Sequence, residues 1–292
     1  MSITLSLFAA QGLNALMYGM LLFLVSSGLT LIYSMMGFLN LSHVFFFMLG
    51  AYYGSSFYEL THNFWLSLLL APVALGFTGV LAERFFLKNR GGESLGYIGE
   101  ILPTLGVALL ILTAVGIFWG MGSPAVEIPE SLQGLVPIAG FEYPVYRLFI
   151  IAMSFIILCI LTFILYKTRL GKIVRAAASD AEMVSALGIN TPLIFTLVFG
   201  TGIWMTGIAG VAAAPMFPVT AAFGYEWSLE AFVVVIVGGL GSLPGAFTTS
   251  LVIGALHSFG VQFIPRLVPV LIFLFMVLVL AFKPRGLFGS RE

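Results

Sequence analysis

Only a few groups in this 292-residue chain could carry chemistry, because just 8% of its residues are charged. His43, His62 and His257 lie on separate segments, without the i, i+4 spacing that builds a helical metal site. The single Gly-Lys pair, Gly171-Lys172, is followed by Ile173 and so lacks the serine or threonine of a phosphate-cradling loop. The glycine turn at 238–245 has Gly-x-Gly-x-x-x-Gly spacing, which is not a dinucleotide fingerprint. No nucleophile elbow or paired intramembrane carboxylate stands out. The chain is therefore expected to have no catalytic residue and no metal, and not to be an enzyme. What remains is a small polar group, Asn40, Ser42 and His43, at the start of an otherwise apolar stretch. Polar groups at membrane depth are costly and usually face a bundle interior or a water-filled path. Two readings stand: these side chains satisfy backbone groups at a broken helix, or they face a solute. On the second reading Asn14, Asn40, Ser42, His43, Thr206, Gly239 and Ser242 are the candidate pathway residues.

The segment Lys172–Gly188 is the richest polar stretch. Ser179 and Glu182 have capping-box spacing, Gly188 suits a helix C-cap, and Asn190-Thr191-Pro192 restarts a helix. A short helix outside the membrane is predicted. Ile173, Ala177, Val184 and Leu187 fall on one face, which could rest on the membrane or receive a partner protein.

These residues must be positioned by membrane helices. The chain is 60% hydrophobic with a mean hydropathy of +1.12, whereas a soluble domain carries roughly 25% charged residues. Twelve basic and twelve acidic residues cancel, which excludes a generally basic nucleic-acid binder. Cys159, the one cysteine, permits no internal disulfide. A crossing takes about 20 mostly apolar residues, and the uncharged intervals are 1–58, 60–82, 101–126, 148–166, 183–225, 231–265 and 267–282, several of them long enough for two. The first has no basic n-region and reads as a retained helix. Breaks near 37–43 and 238–245 divide two intervals, giving an all-α polytopic bundle of about 8–9 spans in one domain, 1–292. Prolines 124, 129, 137 and 144 make 120–146 a loop. Placing the 84–96 loop, the 167–190 loop and the C-terminus in the cytoplasm puts ten of twelve basic residues inside and the N-terminus outside. The zero net charge then resolves into about +4 inside and −4 outside.

Both breaks join a glycine-containing turn and a serine to an apolar helix reaching Gly50-Ala51 or Gly254-Ala255. Paired interruptions can mark a transporter's midplane pathway; small residues also recur wherever membrane helices pack. Gly202, Thr206, Gly210 and Ala214 form a narrow stripe that favours close helix approach over pore lining.

Taken in order, Ser27–Tyr33, Asn40–His43 with Met48–Tyr52, Glu83-Arg84, Leu102–Gly106, Gly171–Asn190 and Gly238–Ala246 resemble the permease subunits of ABC importers for branched-chain amino acids. The likeness covers nearly the whole chain, and Glu83-Arg84 favours the first of the two permease types that pair there. It implies a homologous second permease, two cytoplasmic ATPases that bind ATP-Mg, an extracytoplasmic solute-binding protein, surrounding lipid of a bacterial inner membrane, and no cofactor of the chain's own. In that family a cytoplasmic helix docks on the ATPase, which implies coupling roles for Arg175, Ser179, Asp180, Glu182, Met183, Leu187 and Gly188. The implied cargo is leucine, isoleucine or valine; urea, short amides, an aromatic acid, or a stand-alone channel or carrier are the alternatives. Where the family often has glycine after the histidine, this chain has Val44-Phe45-Phe46-Phe47, a bulk that would reshape the pathway.

Overall fold

The computed structural model describes residues 2–87, 96–120, 122, 126–138 and 140–289; Lys88, Arg90, Glu93, Pro124 and Arg291 lie outside the described residues. Its helices are α1 (Ser2–Met36), α2 (His43–Thr61), α3 (Phe64–Ala82, prolonged by a π-turn Glu83–Leu87), α4 (Gly96–Phe118) and α5 (Val145–Lys167). After these come α6 (Arg169–Ser179), α7 (Ala181–Ala186), α8 (Thr191–Ala213), α9 (Ala221–Gly238), α10 (Leu243–Phe263) and α11 (Val268–Phe282). Among the described residues, seven helices are long and apolar enough to cross a membrane: α1, α3, α4, α5, α8, α10 and α11. The protein is a multi-pass helical membrane protein. α2 and α9, 19 and 18 residues long, are packed inside this set.

α1 runs through the centre, with Leu21, Leu22, Phe23, Leu24 and Val25 completely buried. Apolar residues on all sides of a helix suit burial among other helices or in hydrocarbon. α5 and α11 lie at the rim and expose Phe155, Ile156, Ile160, Val277 and Leu278, a surface suited to lipid.

Glycines set the closest approaches. A Cβ on Gly50 of α2 would stand 3.0 Å from the Gly207 Cα of α8, and one on Gly254 of α10 would stand 2.7 Å from the Gly19 Cα of α1. The small-residue stripe of α8 serves the same end: Gly202 backs onto Gly28 and Ile32, and Gly210 onto the α2 backbone at Phe47–Ala51. Packing is thus what the stripe does.

Both expected breaks are present. Gly37, at φ +75°, ends α1 by donating its N–H to the Tyr33 carbonyl, and α2 resumes at His43. Gly239 and Gly241, at φ +104° and +79°, turn the chain between α9 and α10, where Ser242 caps α10 by accepting from Gly245 N–H. One boundary differs from expectation. The uncharged intervals stop at 225 and resume at 231, yet Glu226 and Glu230 between them lie inside the continuous helix α9. The carboxylates interrupt the hydropathy without interrupting the backbone.

In the proline-rich 120–146 segment, β1 (Leu135–Ile138) and β2 (Phe141–Pro144) pair antiparallel around Gly140 at φ +85°. The predicted single helix over 172–188 is instead α6 and α7, parted at Asp180. Asp180, rather than Ser179, caps α7, its carboxylate accepting from Met183 N–H at 2.8 Å. Gly188, at φ +84°, closes α7, and Asn190 caps α8 through Leu193 N–H, both as expected.

Candidate functional site

Four polar layers cross the bundle. The first, at the α6 end of the bundle, is a cavity of about 750 Å³ between the end of α1, α5, α6 and the 241–244 turn, bordered by Thr30, Ser34, Arg175, Ser179 and Ser242. The Arg175 guanidinium donates to the Leu165 carbonyl and sits 5.1 Å from the centre of the Tyr166 ring. The C-terminal tail fixes the other wall: Leu287 N–H donates to the Val237 carbonyl at 2.7 Å and Phe288 N–H to that of Gly238 at 3.1 Å. Gly239 is pressed against Phe288 and Gly289, so its role is backbone shape and close approach. Ser242, a proposed pathway residue, and Arg175 and Ser179, proposed coupling residues, therefore share one cavity.

Outward from this cavity, α6 and α7 bury Gly171, Ala177 and Val184 against the bundle. Met183 and Leu187 are 60% and 73% exposed, and Asp180, Glu182 and Gly188 are exposed with them. Leu187 was expected on the same face as Ala177 and Val184; the break at Asp180 turns it away.

The second layer is fully enclosed. Asn40 Oδ1 accepts from the Ser42 N–H at 3.0 Å and hydroxyl at 2.6 Å, closing the turn before α2. His43 Nε2 lies 3.0 Å from the Val25 carbonyl and 2.8 Å from Thr206 Oγ1, which is itself 2.9 Å from the Gly202 carbonyl. The geometry accommodates a protonated Nε2 facing Val25 and a Thr206 hydroxyl donating to Gly202. Asn40, Ser42, His43 and Thr206 are all completely buried, so they join α1, α2 and α8 and line no open passage here. Among the described residues, His43 Nδ1 and Asn40 Nδ2 have no hydrogen-bonding partner.

A third layer was not foreseen. Tyr18 of α1 donates to Glu230 Oε2 of α9 at 2.8 Å, and His257 Nδ1 of α10 lies 3.3 Å from Glu230 Oε1. The Tyr18 and His257 rings stack at 3.9 Å, and Trp227 lies 4.9 Å from Tyr18. Trp227 also meets Phe47 at 4.8 Å and Phe223 at 5.5 Å. The bulky Val44–Phe47 run is buried, and Phe47 helps to wall this layer. The available signal was the four-residue step from Glu226 to Glu230, which fits one face of a helix.

The fourth layer, nearest the start of α1, holds Asn14. Its Oδ1 accepts from Arg147 Nη1 at 2.6 Å and from the Tyr143 hydroxyl at 3.2 Å; its amide approaches Gln11, which bonds Gln262. Asn14 thus ties α1 to the hairpin and α5. Burial pushes the Tyr143 phenol above its ordinary pKa, with the neighbouring Arg147 cation acting more weakly in the opposite direction.

Residues 12–280 match the family of branched-chain amino acid transport system permease components. The chain belongs to that family. The permease is 27% identical to the high-affinity branched-chain amino acid transport system permease protein BraD of Pseudomonas aeruginosa, over 97% of this chain and 96% of the relative. It is 25% identical to LivH of Escherichia coli K12, over 98% and 96%. With the probable LivH of Methanocaldococcus jannaschii it shares 26% over 84% and 78%. No solved structure matches it. The permease is accordingly a transport subunit and not an enzyme.

Proposed function

We propose that this permease is the membrane-path subunit of an ATP-driven importer of branched-chain amino acids or a closely related small solute. It works as one domain beside a homologous second permease, in a bacterial inner membrane, with its N-terminus outside. Two cytoplasmic ATPases bind ATP-Mg for it, and an extracytoplasmic binding protein delivers the solute. The observation that carries this reading is the position of α6 and α7: their outer surface presents Met183 and Leu187, while Arg175 and Ser179 border the inner cavity. An ATPase gripping that surface would move one wall of the cavity directly. Ser242 and the 241–244 turn form the opposite wall, held by the C-terminal tail, so displacement of α6 widens or narrows the inner mouth. The relatives' names supply the cargo class.

Replacing Glu182 or Gly188 in the purified complex tests the coupling role. The expected result is that uptake falls more than substrate-stimulated ATP hydrolysis. Unchanged values of both would remove α6 and α7 from the coupling path. Which solutes the co-purifying binding protein captures decides the cargo: leucine, isoleucine or valine is expected, and a sugar would overturn the assignment.

A further inference from the structure

Glu230 lies about 6 Å, one turn of α1, from the Asn14 layer, because its partner Tyr18 follows Asn14 by four residues at 1.5 Å each. Glu226 lies one turn away on α9 and is exposed. Among the described residues neither carboxylate is paired with Lys or Arg; the partners of Glu230 are a phenol and an imidazole. A carboxylate at such depth is expensive unless it faces water or a counter-charge. Glu230 and His257 are not sealed: their side chains are 15% and 29% exposed. The rings beside them are packed and buried: Tyr18 is stacked on His257 and meets Trp227, which Phe47 and Phe223 back. Two carboxylates without a basic partner suit a primary ammonium, which donates charge-assisted hydrogen bonds to them.

We propose that Glu226, Glu230, His257 and Tyr18 form the outer-mouth site that receives the ammonium group of the transported solute, Glu226 meeting it first and Glu230 second. This rests on the amino-acid importer reading and assigns one end of the cargo to named residues. An ammonium drawn to Glu230 would compete with Tyr18 and His257 for the carboxylate. Their release would loosen α9 from α1 and α10, the helices that lead down to the buried His43 layer and the inner cavity. The site therefore selects against amides and carboxylic acids without an amine.

The test uses the complete complex with its binding protein in proteoliposomes and labelled leucine as the probe. Glu230→Gln should raise the KM of uptake by one to two orders of magnitude, the loss of one charge-assisted hydrogen bond, while Glu230→Asp should restore much of it. Glu226→Gln, at an exposed position that the fold does not need, should raise KM severalfold and keeps the test valid if the first variant fails to assemble. Wild-type KM in both glutamine variants would overturn the site. So would loss of the second permease from the Glu226→Gln complex with KM unchanged in what remains, which would make the carboxylate an interface group. A wild-type complex that transports no amine-bearing solute would overturn the importer reading, and the site with it.

Discussion

The Thr206 hydroxyl contacts the Gly202 carbonyl on its own helix and His43 Nε2 on another. In a buried setting such a pair is worth about 0.5–1.5 kcal/mol, and more if its loss leaves a polar atom stranded. Thr206→Val keeps the shape and removes the hydroxyl. It should cost about 1–2 kcal/mol, seen as a thermal unfolding midpoint lowered by a few degrees in detergent. An unchanged midpoint would mean that the His43–Thr206 contact is energetically silent. The sequence marked Asn40, Ser42 and His43 as notable through their polarity among apolar neighbours, keeping a backbone-satisfying role open beside a solute-facing one, and marked Thr206 through its place in the small-residue stripe of α8. The structure has them burying polar atoms against one another and the backbone. Glu230 is a charge among apolar neighbours too, and its four-residue step from Glu226 points to a shared helix face but not to its partners. The partners of Glu230 come from 212 residues earlier and 27 later, and no local spacing announces such pairings.

Helix boundaries were legible where the chain carries its own stop and start chemistry. Gly37, Gly188, Asn190 and Ser242 each do locally what their residue type favours, as positive-φ terminators or N-caps. The start of α9 was misplaced because charge served as the boundary marker, and charge marks solvent only when no intramembrane partner exists; Tyr18 and His257 are such partners. Asp180 divides α6 from α7: its backbone is extended and its carboxylate caps the following turn through Met183 N–H. Helix contacts supply the sharpest test at this scale. Gly254→Leu would drive a side chain into the α1 backbone at Ala15–Gly19. Overpacking alone costs about 1–3 kcal/mol, and here rigid backbone blocks relief. The variant should lose monodisperse elution in size-exclusion chromatography, whereas Gly12→Leu, with nothing within 4 Å of the position, should elute normally. Equal behaviour of the two would contradict the packing described.

For the whole molecule, zero net charge conceals two faces. Ten of twelve basic residues belong to segments assigned to the cytoplasm, and those segments include the exposed α6–α7 surface beside the inner cavity. In a Cys159→Ala background, a cysteine replacing Glu182 should react with a membrane-impermeant reagent only from the cytoplasmic side, and one replacing Glu130 only from outside. The reverse pattern would invert the arrangement and place α6 and α7 away from any cytoplasmic ATPase. The broad design, an apolar bundle broken twice with one polar segment outside the membrane, was legible because lipid imposes length and apolarity on every span. The layering of polar groups across that bundle was not, because each layer joins helices distant in sequence. On the proposed function, solute movement through this permease is driven by ATP hydrolysis on partner subunits. Uptake of labelled leucine into proteoliposomes, with and without internal or external ATP on the α6–α7 side, measures this directly. Accumulation that requires ATP, the ATPases and the binding protein is predicted; leucine flux through the permease alone, without ATP, would contradict it.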